Sequence, residues 1–200
     1  MDDIIDLELE KIELIINKIA ADPEDEDIRR VELELWKKIR TMARKGRRTG
    51  LGITAEGDML AALGLRYGTP EATAFAVKVQ KTLALEAYRA SVKMAAERGA
   101  FEIFDARKEE KNPMIGRIRE ADPELYAEMV KHGRRNIAML TIAPTGTTSL
   151  MSQTTSGIEP VFRPVYKRRR KINPSDQDAK VAFVDDMGEK FEEYNVYHHN

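Results

Sequence analysis

The sequence predicts an α/β chain rich in helix, on three observations. Apolar residues recur at helical spacing through most of the first 130 positions. Proline- and hydroxyl-led helix starts punctuate them. One apolar run without alternation, 136–143, reads as a strand covered on both faces. Two hundred residues are enough for one domain with a real core. The chain has no cysteine, which excludes disulfides, thiolate zinc sites, iron–sulfur ligation and a cysteine nucleophile on these residues. Lys+Arg 33 against Asp+Glu 34 leaves net −1, so no global field advertises nucleic acid or an acidic membrane. The apolar runs fall short of the roughly 20 residues a spanning helix needs. No signal peptide follows Met1, so a cytoplasmic protein and no membrane partner are expected.

Through Asp27 there are eleven acidic and two basic residues; from Ile28 to Arg48 there are nine basic and two acidic. Ile5, Leu9, Ile12, Ile16 and Ile19 fall at spacings of three and four, as do Ile28, Val31, Leu35, Ile39 and Met42. Both segments read as amphipathic helices, broken and restarted at Asp22-Pro23-Glu24, and together as an antiparallel hairpin with solvated charged faces. Thr49-Gly50-Leu51-Gly52-Ile53 reads as a short strand where another backbone or a ligand comes close. Thr54 is placed to cap a helix through Asp58, Met59 and Leu63. Thr69-Pro70-Glu71 opens a helix that runs to Arg98 before Gly99, about 43 Å long and more than half buried.

Two shorter helices follow, one from Pro113 to Glu120 and one capped by Asp122 and stopped near Gly133. After the apolar run, Val161 to Ile172 reads as holding a strand and Ala179 to Tyr194 as weakly helical. A doubly covered strand needs neighbours, and two other strands are too few. It must pair across an oligomer interface or belong to a larger sheet.

Ala143-Pro144-Thr145-Gly146-Thr147-Thr148-Ser149 follows the expected strand and precedes Leu150-Met151. Strand, hydroxyl-rich turn with glycine, then helix start points backbone N–H groups at an anion. The same residue types also make a plain N-cap cluster, and the turn lacks the lysine of a GxxxxGK[ST] phosphate loop. Ser156-Gly157-Ile158-Glu159-Pro160 sets Glu159 in extended geometry before a proline, where its carboxylate faces a cleft or simply solvent. Lys167-Arg168-Arg169-Arg170-Lys171 is the densest basic run; it has no aromatic interleaving beyond Tyr166 and the chain has no basic excess, which disfavours nucleic acid, and on a strand alternate members face opposite sides, where some can pair with acidic neighbours. His198 and His199 diverge on a strand and lack companion ligands, so no metal site is expected, and no catalytic constellation is visible.

Several stretches together resemble one family. Gly46-Arg47-Arg48-Thr49-Gly50-Leu51-Gly52-Ile53-Thr54 through Ala61-Ala62-Leu63-Gly64-Leu65-Arg66-Tyr67-Gly68 is similar to part of the large catalytic subunit of ribonucleotide reductases. Arg134-Arg135-Asn136 through Ser149, then Ser156-Gly157-Ile158-Glu159-Pro160-Val161-Phe162, resembles the same family further along. Tyr166 to Lys171 and Tyr194-Asn195-Val196-Tyr197-His198-His199 point to its adenosylcobalamin-dependent, class II branch. The resemblance implies a partial segment of a ten-stranded α/β barrel. It is divided into a helical hairpin over 1–46, a mainly helical part over 47–133, and a strand, phosphate turn and basic strand over 134–200.

The resemblance further implies that Thr145, Gly146, Thr147, Thr148 and Ser149 hold the phosphates of a ribonucleoside di- or triphosphate, with Pro144 and Glu159 in the active-site wall. The family's radical and reducing cysteines have no counterpart here, so the expectation is a segment that is inactive alone. It would work with the remainder of the reductase chain and adenosylcobalamin in the parent enzyme, with room for a homo-oligomer. The competing reading is a non-catalytic helical module that binds a protein or nucleic acid through residues 167–171.

Overall fold

Helices form where the apolar period and the caps agree, and a computed structural model describes them over residues 1–176 and 178–199. The order is α1 (Asp2–Ala20), α2 (Glu26–Gly46), α3 (Glu56–Ala62), α4 (Pro70–Arg98), α5 (Ala106–Glu109), α6 (Pro113–Ala121), α7 (Pro123–His132), α8 (Gly146–Ser152), β1 (Val165–Lys171), β2 (Phe183–Val184) and β3 (Lys190–Tyr197). The chain divides into two compact units, one of residues 1–52 and 75–141, the other of residues 53–74 and 142–200. The fold is therefore helix-rich with a small sheet.

In the first unit α1 and α2 pack on one another, with Ile5, Ile12, Ile16 and Ile19 of α1 buried. The α2 stripe differs from expectation. Ile28, Val31, Leu35 and Met42 stay more than half exposed, while Leu33, Trp36, Arg40 and Ala43 are half-buried. Trp36 offers the largest apolar surface on the helix, and its stripe wins. Pro23 also lies before α2, whose N-cap is Asp25, its side chain accepting the Asp27 N–H. The later helices start where expected. Asn112 caps α6 and Asp122 caps α7, each followed by proline at the first helical position. Tyr88 and Val92 of α4, Ile115 and Ile118 of α6, Leu125 and Met129 of α7, and Met139 form the core. Burial along α4 is concentrated in its C-terminal third, less than the sequence suggested.

A buried polar network sits beside this core. Arg47 Nε donates to Asp2 Oδ1 at 2.8 Å, Arg135 Nε to Asp2 Oδ2 at 3.1 Å, and Asn136 Nδ2 to Asp2 Oδ1 at 3.1 Å. Burial pushes the Asp2 carboxyl up. Hydrogen bonds from Arg47 and then Arg135, with their charges, outweigh it and hold the group below its ordinary value. Arg134 lies fully buried, paired with Glu109, donating to the Asn136 and Ile137 carbonyls at 3.1 Å each, and within 6 Å of the Tyr88, Phe101 and Phe104 rings.

The expected strands over 49–53 and 136–143 are corrected. Leu51 and Leu140 form one isolated parallel bridge, and neither run is a strand. The two segments do run alongside one another, with Thr49 N–H donating to Ala138 O at 2.9 Å and Leu51 N–H to Met139 O at 2.6 Å. One rung without a flanking partner does not propagate a ladder. The close approach read from the glycines is real. A Cβ on Gly52 would stand 2.2 Å from the Thr141 carbonyl oxygen.

In the second unit the sheet is antiparallel, in the order β1-β3-β2. The weak helix expected over 179–194 is replaced by β2, a turn and most of β3. Asp185 Oδ1 accepts the Met187 and Glu189 N–H groups, and Gly188 takes φ +77°. That turn chemistry, followed by Phe191, Tyr194, Val196 and Tyr197, favours a hairpin over a helix. Among the described residues no helix is long and apolar enough to cross a membrane.

Candidate functional site

The hydroxyl-rich turn lies in the second unit, and its geometry follows from how each hydroxyl is used. Thr54 Oγ1 donates to the Thr155 carbonyl at 3.0 Å. Its one proton is spent there, so in the 3.1 Å contact with Thr145 Oγ1 the Thr145 hydroxyl is the donor. Thr145 Oγ1 in turn accepts the Gly157 N–H at 2.9 Å. Thr54 therefore does not cap α3, as its position had suggested. The N-cap is Ala55, left-handed at φ 65°, and Thr54 ties the 145 turn to the 155–157 segment.

Thr145 itself faces inward, and α8 begins after it. The first N–H groups of any helix lack intrahelical acceptors, and here they belong to Gly146, Thr147 and Thr148, all exposed. Ser149 is buried, its hydroxyl donating back to the Gly146 carbonyl at 2.8 Å. A Cβ on Gly146 would meet nothing within 4 Å. Of the expected phosphate residues, Gly146, Thr147 and Thr148 face outward, and the Thr145 and Ser149 side chains hold the turn. Pro144 is exposed. Glu159 is exposed too, and one oxygen of its carboxylate would lie 2.6 Å from a Cβ on Gly157.

Gly57 in α3 lets the 159–160 backbone come close, since a Cβ there would stand 2.5 Å from Glu159 O and 2.7 Å from Pro160 Cα. Asp58, one residue on, accepts the Thr155 N–H at 3.0 Å through Oδ2, and its Oδ1 lies 2.8 Å from His198 Nε2. Thr54, Asp58 and His198 were missed from the sequence because their partners lie 91 to 140 positions away. No local pattern carries such pairs.

The basic run lies on β1, every residue of it exposed. Arg169 and Arg170 donate to Glu193 and Glu192 directly opposite on β3, each at 2.6 Å, and Lys171 reaches Glu189 at 2.8 Å. Arg169 also lies over the Phe183 ring, which stacks on Phe191. These cations are committed to the sheet's own carboxylates.

The family model described as the ribonucleotide reductase barrel domain matches residues 27–190, and the chain belongs to that family. Its relatives include a vitamin B12-dependent ribonucleoside-diphosphate reductase of Mycobacterium tuberculosis (strain CDC 1551 / Oshkosh), 36% identical over 127 residues, 63% of this chain and 16% of that protein. A protein of the same description from Thermoplasma acidophilum is 33% identical over 142 residues, 71% of this chain and 16% of its own length. A ribonucleoside-diphosphate reductase subunit alpha of Treponema pallidum is 30% identical over 134 residues, 62% of this chain and 15% of that protein. The chain thus spans about a sixth of the length of these relatives.

Proposed function

We propose that these residues form part of the barrel wall and the substrate phosphate grip of an adenosylcobalamin-dependent ribonucleotide reductase, which converts ribonucleotides to 2′-deoxyribonucleotides by radical chemistry in the cytoplasm. The carrying observation is the division of labour in the turn. Thr145 and Ser149 spend their hydroxyls holding it, and Gly146, Thr147 and Thr148, whose N–H groups have no intrahelical acceptor, are exposed. The names of the relatives favour a ribonucleoside diphosphate as substrate.

The rest of the reductase chain would complete the ten-stranded barrel and bring the radical cysteine, since none of the 200 residues is a cysteine. Adenosylcobalamin would supply the radical initiation when bound. We assign no residue of this chain to that group, and no step through it belongs to these residues. The test is Gly146→Val in a reductase whose complete barrel carries these residues. KM for the ribonucleoside diphosphate should rise about tenfold or more, as branched carbons enter the space left for phosphate. An unchanged KM removes the phosphate role from the turn.

A further inference from the structure

A second feature lies in the first unit and is independent of the phosphate turn. The row of α2 residues that α1 does not cover, Ile28, Val31, Leu35, Ile39 and Met42, falls within an arc of about 80° at 3.6 residues per turn. Ile28, Val31, Leu35 and Met42 are each more than half exposed, and Ile39 is half-buried. One exposed leucine needs no explanation, but a continuous apolar row about four turns long does. Ile39 and Met42 also line a groove of about 410 Å3 between α1 and α2, together with Ile5, Glu8 and Ala43.

The spacing of the row points to what covers it. Its steps are three, four, four and three residues, the same from either end, with Leu35 at the centre. A two-fold axis at Leu35 lays an antiparallel copy in register, Ile28 on Met42, Val31 on Ile39 and Leu35 on itself. One flank repeats the pattern in charge. Asp27, Glu34, Lys38 and Lys45 share an arc of about 40° beside the row, at steps of seven, four and seven, again the same from either end but with the sign reversed. The same axis brings Asp27 within about 3 Å of level with Lys45 of the second copy, and Glu34 equally close to Lys38, each pair twice. A parallel copy would set like charge on like. Among the described residues the salt bridges of α2 are Arg30 with Asp27 and Arg40 with Glu13, so Glu34, Lys38 and Lys45 bring uncommitted charges. An unrelated partner requires neither the palindrome nor the reversal of sign.

We propose that α2 is a self-association surface, on which a second copy of this chain packs antiparallel about a two-fold axis at Leu35. Val31 and Ile28 of the second copy stand over the Ile39 and Met42 that line the groove, so apolar surface leaves water at both ends of the contact. The two helix dipoles oppose one another in this arrangement, which favours it over a parallel one.

Sedimentation equilibrium of the 200-residue chain between about 10 μM and 1 mM should show a monomer–dimer equilibrium. Lys38→Glu and Glu34→Lys, both at exposed positions, should each raise the dimer Kd about tenfold or more, because each sets like charges across the axis twice. An equimolar mixture of the two variants should return close to the parent's Kd as a heterodimer, since mixing changes nothing within either helix. The absence of cysteine allows a second readout. Leu35→Cys should oxidise to a disulfide-linked dimer. Val31→Cys should not, because its two copies lie about 12 Å apart along the helices. The proposal fails if the charge variants dimerise as tightly as the parent, if their mixture does not recover, or if Leu35→Cys does not crosslink ahead of Val31→Cys. It fails equally if the chain is monomeric at about 1 mM, which would assign the row to a further segment of the parent reductase.

Discussion

The Thr145 hydroxyl accepts the Gly157 N–H at 2.9 Å, joining the turn before α8 to the Gly-Ile-Glu-Pro segment twelve residues on. Gly157 is buried, so Thr145→Val leaves its N–H unmet. The expected cost is about 1–3 kcal/mol, or a Tm lower by roughly 2–4 °C for each kcal/mol, followed by circular dichroism. Thr145→Ser, which keeps the oxygen, should melt close to the parent. Equal losses from the two substitutions would remove the hydrogen bond from the account.

Gly146→Ala separates folding from binding. The added methyl enters open space, and the glycine is not among those at positive φ. The 200-residue chain should melt within about 0.5 kcal/mol of the parent. A larger loss would mean that the glycine serves the fold, and would change how any KM effect at this position is read.

Gly57 is the opposite case. Its Cβ would collide with the backbone of Glu159 and Pro160, which cannot swing aside as a long side chain can. Gly57→Ala should cost about 1–3 kcal/mol as overpacking and speed amide exchange through residues 155–159. Unchanged exchange there would show that α3 and that segment are not in register as described.

Arg134 is a buried cation whose partners are Glu109, two backbone carbonyls and three aromatic rings. Arg134→Met strands the Glu109 carboxylate and should cost about 3–5 kcal/mol in denaturant unfolding. Adding Glu109→Leu should recover a substantial part, since no charge is then left unpaired. Strict additivity of the two losses would contradict the pairing.

Asp2 gives a pH window. Its folded carboxyl titrates below the ordinary value, so its contribution is fully present above about pH 4 and drains away as pH falls through the lower, folded value. In that range the unfolded chain binds the proton first, and stability rises with pH. Asp2→Asn should flatten this part of the acid limb in melts between about pH 2 and 5. An acid limb identical to the parent's would place the sensitivity elsewhere.

Helix starts were the most legible part of the fold. Thr69-Pro70-Glu71 and Pro113 announce α4 and α6, because proline and a hydroxyl cap act within one turn of chain. Stripes and strands were less so. Val31 and Trp36 both lie on apolar arcs of α2, and which one is covered depends on α1, not on α2. The run at 136–143 has the composition of a buried strand, but a strand exists only through its neighbours, and Leu140 finds one rung. At the site, the turn from Pro144 to Ser149 could be read as a motif, yet the inward use of Thr145 could not. It depends on Thr54, 91 positions away.

The place of β1 gives the basic run a different meaning. In the order β1-β3-β2 it is a rim strand, with its outer N–H and C=O groups open to any chain able to add alongside. Five consecutive cations occupy the seven residues of that rim. A second copy arriving strand to strand would set like charge against like charge along nearly the whole length. Charged side chains along an open rim are a general way in which small sheets discourage strand-to-strand pairing.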